Sequence, residues 1–298
     1  MPYIQSLLYN QIGIFTDSGR TGYLNKNQSV NHNDIIPWEQ QTISNDFMFC
    51  KIMSDPMLCR DTLRRILPEL NIEKVQDVVA QKDMKLYYQN KGVRLDIYVI
   101  DNEERRFDIE MQLITNPEIS KRSRYYSSMM DANELLKGQD YDQLSDSYVV
   151  FICLNDVFGK GLHKYVFKNI CTSDSSIHLN DGSYKVFLNA SGVKDDVDED
   201  LKTFLDFIAG REVENDSYIT KLQKAVEEAR NNETWRGEYM TYRDIERRGF
   251  LQGEKAGIEK GKAEDIAAVK AAISSGIISE EAANQIIALM ENSNTDNK

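Results

Sequence analysis

The chain has 298 residues, of which 41% are hydrophobic, and this is enough to bury a full core and to form one main domain with appendages. It contains no apolar run long enough to cross a bilayer and no basic-then-apolar leader, so we expect a cytoplasmic protein without a membrane partner. The formal net charge of −12 disfavours a nucleic-acid partner on charge alone, and four cysteines without a CxxC pair disfavour a zinc site or a disulfide framework.

The first elements follow an N-terminal extension. Residues 1–36 are rich in Asn, Gln, Ser, Thr and Gly and show no sustained period, which predicts a loosely ordered segment. From Ser44 the apolar residues recur at helical spacing, and Asp55–Pro56 divides this stretch into two helices. The segment 75–79 then predicts a first strand.

Two short segments, 94–99 and 107–113, alternate apolar and polar residues and predict an antiparallel hairpin. If the loop is 102–104, paired residues have numbers that sum to 206, so Asp96 stands directly opposite Glu110. Opposed side chains have Cβ atoms roughly 5 Å apart, and two carboxylates at that separation repel each other unless a positive charge lies between them. The hairpin therefore predicts a site for a divalent cation.

The next elements predict an α/β domain with a mixed sheet. Asn116–Pro117–Glu118 is a helix start, and this helix should run to about Leu136 and stop at Gly138. The nearly continuous apolar run 147–155 predicts a strand buried on both faces. Weaker strand signals follow at 165–170 and 184–188, and an amphipathic helix follows at 201–208. We expect the main domain to cover residues 37–212.

The C-terminal third predicts a helical appendage. Residues 213–262 carry alternating charge and predict one long helix, and residues 263–298 predict a helical hairpin with a turn at Gly276 and a tail. Glycine recurs every four residues in the long helix, and each glycine costs a helix about 1 kcal/mol relative to alanine. The recurring positions are Gly249, Gly253, Gly257 and Gly261. Two interpretations remain open: close packing against a partner helix, which predicts a homo-oligomer, or a flexible tether.

The hairpin residues suit one chemistry in particular. Carboxylate oxygens are hard ligands that favour Mg²⁺, with Mn²⁺ or Ca²⁺ able to take its place, and a bound cation activates water for phosphodiester hydrolysis. Asp96 and Glu110 are the candidate metal ligands and catalytic residues. Gln112, two residues along the same strand face, could hold the attacking water, although a neutral amide cannot act as a base. The alternative is that all three simply lie on a solvated strand face.

A basic and aromatic group follows the hairpin. Lys121, Arg122, Arg124 and Tyr125 lie on the predicted helix after it, and we expect this group to contact DNA phosphate, with Arg124 and Tyr125 nearest the scissile strand. Most of the acidic excess of the chain lies outside this segment, which weakens the objection from net charge. The alternative is an ordinary solvated run of charge on a helix surface.

At this point the residues resemble a known family. D-x13-E-x-Q on a strand hairpin, followed by a helix, resembles the PD-(D/E)XK phosphodiesterase core. More narrowly, residues 44–210 resemble the recombination-promoting nucleases, also called PD-(D/E)XK nuclease family transposases, through NDFMFCKI, RLDIYV, FDIEMQ, KRSRYYSSMM and SYVVFICLN. The glycine-spaced tail resembles the C-terminal region of that group.

The resemblance implies a restriction-endonuclease-like core with a mixed central sheet flanked by helices, and a metal-dependent DNA endonuclease acting in recombination, mobile-element movement or phage defence. By the same resemblance Asp96 and Glu110 are the motif acids, Gln112 occupies the usual lysine position, and Asp46 on the first helix is a further metal ligand. Asp46 could instead simply cap that helix. A rival interpretation is a catalytically weak or inactive DNA-binding or oligomerising module of the same fold. A third is a defence effector whose C-terminal tail senses a partner or controls oligomerisation.

Overall fold

The computed structural model describes residues 36–85, 91–114, 117–277 and 279–292. The expected N-terminal extension therefore lies outside the described residues except for Ile36. The described residues up to Met240 belong to one compact unit, and those from Thr241 onward belong to another.

The first unit is built on a mixed six-stranded sheet, which confirms the expected α/β class. The strands are β1 (Val75–Met84), β2 (Val93–Asp101), β3 (Arg106–Gln112), β4 (Ser147–Cys153), β5 (Lys164–Phe167) and β6 (Ser183–Asn189), in the order β1-β2-β3-β4-β6-β5. The first three strands form an antiparallel meander, β3, β4 and β6 run parallel, and β5 pairs antiparallel with β6 at one edge.

Helices α1 (Asp46–Met53), α2 (Pro56–Ile66) and α3 (Ile119–Glu134) pack against this sheet. The unit also contains α4 (Glu199–Ile208), α5 (Ser217–Arg230), the first turns of α6 (Glu233–Ser274) and a short 3-10 helix at Trp38–Gln40. The break between α1 and α2 lies where Asp55–Pro56 predicted it, because the Asp55 side chain accepts from the amides of Met57 and Leu58 and caps α2.

The predicted single helix over 213–262 is two helices. Helix α5 ends at Arg230, and Asn231 and Asn232 separate it from α6. The amide of Trp235, the third residue of α6, donates to the Asn232 side chain at 3.0 Å. Asn232 is therefore a helix N-cap. The break could not be predicted from periodicity, because the charge alternation continues on both sides of the two asparagines. Helix α6 then continues past the expected boundary at residue 262 to Ser274.

The turn between β2 and β3 fixes the hairpin register. The Asp101 carboxylate accepts from the amides of Glu103 and Arg105 and pairs with the Arg105 guanidinium at 2.7 Å. Glu104 takes the left-handed conformation that closes the turn, with φ of +61°. Ile97 then pairs with Ile109, so the predicted register, with residue numbers that sum to 206, is confirmed.

Helix α3 covers one face of the sheet through a buried apolar cluster. Ile119, Tyr126, Met129 and Met130 from the helix meet side chains from β2, β4 and β6, including Tyr98, Phe151 and Phe187. Helix α1 packs against β1, β2, β3 and α5. These two helices carry Arg122 and Asp46, so the packing of the core decides where both side chains lie relative to the hairpin.

The second unit holds the rest of α6 and helix α7 (Glu280–Asn292). The predicted turn at Gly276 is present, with φ of +69°, and the Ser279 hydroxyl accepts from the amide of Ala282 to cap α7. A Cβ at Gly253, Gly257 or Gly261 would meet nothing among the described residues within 4 Å. None of the helices in the described ranges has both the length and the apolar character that a bilayer crossing needs.

Candidate active site

Asp96 and Glu110 lie together between β2 and β3. The paired ladder between these strands reaches Ile97 and Ile109, and one further step puts the two acids opposite each other. Each carboxylate accepts a hydrogen bond from the other strand: the amide of Asp96 donates to Glu110 Oε1 at 2.9 Å, and the amide of Met111 donates to Asp96 Oδ2 at 3.2 Å. At this end of the hairpin, bonds between backbone amides and carboxylates therefore connect the two strands.

The strand alternation changes at Asp96. Leu95 packs into the same buried cluster as Tyr98, although strict alternation would put them on opposite faces. On the neighbouring strand, Gln81 stands between the pairs Ala80–Ile97 and Lys82–Leu95 and has a φ of +52°, which is rare for a residue with a side chain. The sheet is therefore irregular on both strands at the level of the first acid.

The acids lie in an environment that disfavours charge. Burial raises the pKa of Asp96 well above its ordinary value, and the charges of Glu110 and Asp46 raise it further. Burial also raises the pKa of Glu110, although the Arg122 guanidinium opposes the shift. Asp108 lies two residues earlier on the same strand face, is fully buried, and neither of its oxygens accepts a hydrogen bond from a described residue. Burial, Glu110 and Asp96 raise its pKa well above the ordinary value.

Asp46 approaches the acids from helix α1. It occupies the first turn of the helix, but the cap is the preceding Asn45, whose side chain accepts from the amide of Met48 at 3.0 Å. The charge of Asp46 contributes to the raised pKa values of both Asp96 and Cys50, so it lies near the hairpin acids. The Cys50 thiol, one turn along α1, donates to the carbonyl oxygen of Asp96 at 3.5 Å and ties the helix to the strand.

Gln112 has partners at both ends of its amide. Its Oε1 accepts from Arg122 at 2.8 Å, and its Nε2 donates to the carbonyl oxygen of Ile114 at 2.6 Å. Among the described residues, one acceptor position and one donor position of the amide have no partner, since each end can form two hydrogen bonds. The predicted contact between Gln112 and a water molecule stays a prediction.

The basic group divides between two faces of α3. Lys121 and Arg124 are exposed, and neither forms an ion pair with a described residue. The Tyr125 hydroxyl donates to the carbonyl oxygen of Lys91 at 2.6 Å. Arg122 lies on the inner face with its side chain 12% exposed, and its guanidinium contacts Glu110 and Gln112. In this structure Arg122 is therefore not available to a DNA phosphate at the surface, contrary to the sequence-based expectation.

Comparison with known proteins supplies the family. The model for PD-(D/E)XK nuclease family transposases matches residues 43–247, more than half of the chain. The chain belongs to this family. No curated protein and no solved structure matched the chain significantly.

The PD-(D/E)XK match contains every candidate site residue and extends further than the expected domain. It covers α1 through β6, and it continues through α5 into α6, beyond the predicted boundary at residue 212. The first turns of α6 are therefore part of the family domain, in agreement with the compact unit that ends at Met240.

The residues of this PD-(D/E)XK site fit a hard divalent cation. The donors are carboxylate oxygens, and beside Glu110 lies the buried Asp108 side chain, whose two oxygens accept no hydrogen bond from a described donor and are chemically suited to a cation or to its bound water. Within the described ranges, no three His, Cys, Asp or Glu side chains are arranged as a set of metal ligands. A Mg²⁺ site does not need three, because Mg²⁺ usually takes one or two carboxylates and keeps several waters.

Two contributors to the site were missed by the motif argument. Asp108 shares a strand face with Glu110 in the sequence FDIEMQ, so strict alternation was the signal that could have identified it. Tyr126, whose hydroxyl accepts from Arg122 at 3.1 Å, lies four residues after Arg122 on the helix. That spacing puts both on one face, but sequence alone does not say that this face meets the hairpin.

Proposed function

We propose that this chain is a metal-dependent DNA endonuclease that hydrolyses phosphodiester bonds. One observation carries the proposal: Asp96 and Glu110 are held opposite each other by backbone hydrogen bonds of 3.2 and 2.9 Å, in surroundings that raise the pKa of both. Burying two ionised carboxylates this close together costs free energy unless a cation lies between them. Such arrangements are typical of functional sites.

In this proposal Asp96 and Glu110 hold Mg²⁺, and Asp46 adds negative charge from α1. A bound divalent cation lowers the pKa of water and stabilises charge on the transferring phosphoryl group. Gln112 is a neutral amide, so the proton of the attacking water must pass to a carboxylate, a second water or the substrate phosphate. The irregular strand at Asp96 and the bonded amide of Gln112 keep both side chains in fixed positions before DNA arrives.

DNA would approach over the outer face of α3. Lys121 and Arg124 are exposed there, about one helical turn apart from each other, on a different side of the helix from the buried Arg122. Phosphate contacts of this kind position a duplex without reading its sequence. Membership of the transposase family supports a setting in recombination or mobile-element movement. Defence against foreign DNA would use the same chemistry.

The proposal is tested by incubating supercoiled plasmid with the purified chain and Mg²⁺, Mn²⁺ or Ca²⁺, with and without chelator. We expect nicking that the chelator abolishes and that Asp96→Ala and Glu110→Ala each remove. Equal nicking by wild-type protein and both variants would show that the activity belongs to another site or to a contaminant. DNA binding without nicking under every metal condition would favour the inactive binding module.

We also propose that the chain self-associates through α6. The open space beside Gly253, Gly257 and Gly261 supports this proposal. Each glycine destabilises the helix, and close packing of a second helix against the glycines would compensate for that cost. Light scattering on Gly257→Ala and Gly257→Leu tests it. Association should tolerate alanine and be lost with leucine, whereas an unchanged mass with both substitutions would favour the tether.

A further inference from the structure

Arg122 is a largely buried cation beside the acids, and both of its terminal nitrogens donate hydrogen bonds. Its Nη1 donates to Gln112 Oε1 at 2.8 Å, and its Nη2 donates to Glu110 Oε2 at 3.2 Å and to the Tyr126 hydroxyl at 3.1 Å. The rings of Tyr126 and Phe151 each have their centroid 5.4 Å from the guanidinium carbon. Hydrogen bonds and two aromatic rings thus fix the plane of the guanidinium.

The position of this charge is informative because the third motif residue is neutral. In the motif that the chain resembles, a lysine at the position of Gln112 would supply positive charge beside the second acid. Here the carboxamide of Gln112 ends within one hydrogen bond of the Arg122 guanidinium, and the same guanidinium pairs with Glu110. The charge therefore reaches the end of the residue 112 side chain from a helix instead of from the strand.

We propose that Arg122 is a positioning residue that supplies, from helix α3, the positive charge absent at Gln112, and that it orients Gln112 and Glu110 toward the reacting phosphate. This inference rests on the proposed nuclease function. Arginine suits the role because it stays charged at every working pH and its planar donors can serve two acceptors at once. For the same reason it acts by charge and orientation and not as a base.

A merely structural role must be separated from this one. Arg122 also compensates the buried charge of Glu110, so any substitution that removes it disturbs a buried ion pair. A loss of activity alone would therefore decide nothing. Moving the charge to residue 112 distinguishes the two roles. A swap variant that carries Gln112→Lys together with Arg122→Gln restores a cation beside Glu110 without restoring the arginine.

The experiment measures kcat and KM for plasmid nicking, together with the thermal midpoint, for Arg122→Gln, Arg122→Lys, Gln112→Lys and the swap variant. We expect Arg122→Gln to lose about 100-fold or more in kcat with little change in KM, as for the loss of one oriented electrostatic group. The swap variant should recover at least part of that loss, and Arg122→Lys should lie between. Arg60→Met, which removes an arginine paired with Asp61 on α2, is the control for loss of an ion pair elsewhere.

A second measurement does not depend on cleavage. Calorimetric titration with Ca²⁺ should give several-fold tighter binding to Arg122→Gln than to wild-type protein, because removing a positive charge beside Glu110 makes the site more attractive to a cation. Tighter metal binding with slower chemistry is a signature that general loss of structure would not produce. Arg122→Lys, which keeps the charge, should bind Ca²⁺ like the wild-type protein.

The outcomes separate the two proposals. Unchanged kcat in Arg122→Gln, or a folded swap variant as slow as Arg122→Gln, overturns the role of Arg122 while leaving the nuclease proposal intact. If Arg122→Gln does not fold, a folded swap variant as slow as the chelated wild-type protein overturns it equally. Wild-type protein that neither nicks DNA nor binds Ca²⁺ overturns both. If wild-type protein binds Ca²⁺ without nicking DNA, the role of Arg122 is tested by the calorimetric comparison alone. Equal or weaker Ca²⁺ binding by Arg122→Gln would then contradict that role.

Discussion

The backbone amide of Asp96 donates to the carboxylate of Glu110 at 2.9 Å, while Asp96 itself accepts from the amide that follows Glu110 in the chain, at 3.2 Å. Each acid is therefore oriented by the strand that carries the other. An important difference between their surroundings is that Glu110 also pairs with the Arg122 guanidinium at 3.2 Å. This difference leads to opposite expectations for the stability of two variants that should both be inactive.

Asp96→Asn should abolish nicking and leave the metal-free protein as stable as the wild type or more stable. The asparagine oxygen can still accept from Met111, and a neutral amide replaces an acid whose charged form is disfavoured by burial and by Glu110. Glu110→Gln should abolish nicking and destabilise the protein by about 3 kcal/mol or more, because it leaves the buried Arg122 charge without its carboxylate. Urea unfolding of the metal-free proteins measures both effects.

Asp83→Asn is the matched control for this pair of variants. Asp83 is exposed on the neighbouring strand β1, so the same chemical change there should alter neither nicking nor the urea midpoint. If Asp96→Asn proved as destabilising as Glu110→Gln, the two acids would not differ in the way that the ion pair with Arg122 indicates.

The metal-free protein should lose stability as pH rises. The folded-state pKa values of Asp96, Asp108 and Glu110 are all raised, by burial first. A raised acid pKa means that the folded state holds its proton more tightly than the unfolded state, so this contribution is fully present below about pH 4 and is lost as pH rises through the folded values. Mg²⁺ binds the deprotonated acids, so the gain in thermal midpoint on adding it should grow with pH.

At a concentration 100 times its Kd, Mg²⁺ should stabilise the protein by about 2.7 kcal/mol. Differential scanning fluorimetry between pH 5 and pH 8, with and without Mg²⁺, measures the gain. Asp96→Asn should reduce it at every pH. A gain that is the same at both ends of the range, or that survives in Asp96→Asn, would place the cation elsewhere.

The hairpin could be predicted because its determinants are local. Alternation in two short segments and a turn of few residues fix which residues face each other, and Asp101 closes that turn with its own side chain. The same local character explains the correct division of α1 from α2 at Asp55–Pro56, where a capping side chain precedes a proline.

The role of Arg122 could not be predicted because it depends on how a helix lies on a sheet. Spacing put Arg122 and Tyr126 on one face of α3 and Lys121 and Arg124 on another, but it did not say which face meets the hairpin. Tyr126, Met129 and Met130 decide this by packing into the core beside Phe151. Because burial follows from tertiary packing, a run of charged residues in a sequence does not by itself distinguish a surface patch from a site.

The exposed residues of α3 give a prediction about DNA binding. Lys121→Ala and Arg124→Ala should each weaken binding of duplex DNA in Ca²⁺ and lower the slope of log affinity against log salt by about 1, because each removes one phosphate contact. Fluorescence anisotropy at several salt concentrations measures the slope. Lys202→Ala, at an exposed position on α4, should leave it unchanged. Slopes equal to wild type in both α3 variants would remove this helix face from the DNA interface.

The first turns of α6 should be required for the nuclease unit to fold. The Tyr239 ring packs 5.0 Å from the Trp38 ring and 5.7 Å from the Phe47 ring, and its hydroxyl accepts from Gln41 at 2.9 Å. Trp38 also donates to the carbonyl oxygen of Ala229 at 3.2 Å. Truncation after residue 221 removes all of these partners from the residues around α1, whereas truncation after residue 247 keeps them.

We therefore expect the chain ending at residue 247 to unfold near the wild-type thermal midpoint and the chain ending at residue 221 to be unfolded or strongly destabilised. Tyr239→Ala in the full chain should cost about 3–5 kcal/mol, because it empties a fully packed aromatic position. Tyr141→Ala is its control, since that side chain is 87% exposed and should cost little. Phe47 lies one residue after Asp46, so we expect its aromatic contacts to help hold α1 beside the site. A chain ending at residue 221 that unfolds cooperatively at the wild-type temperature would show that α1 does not need these contacts.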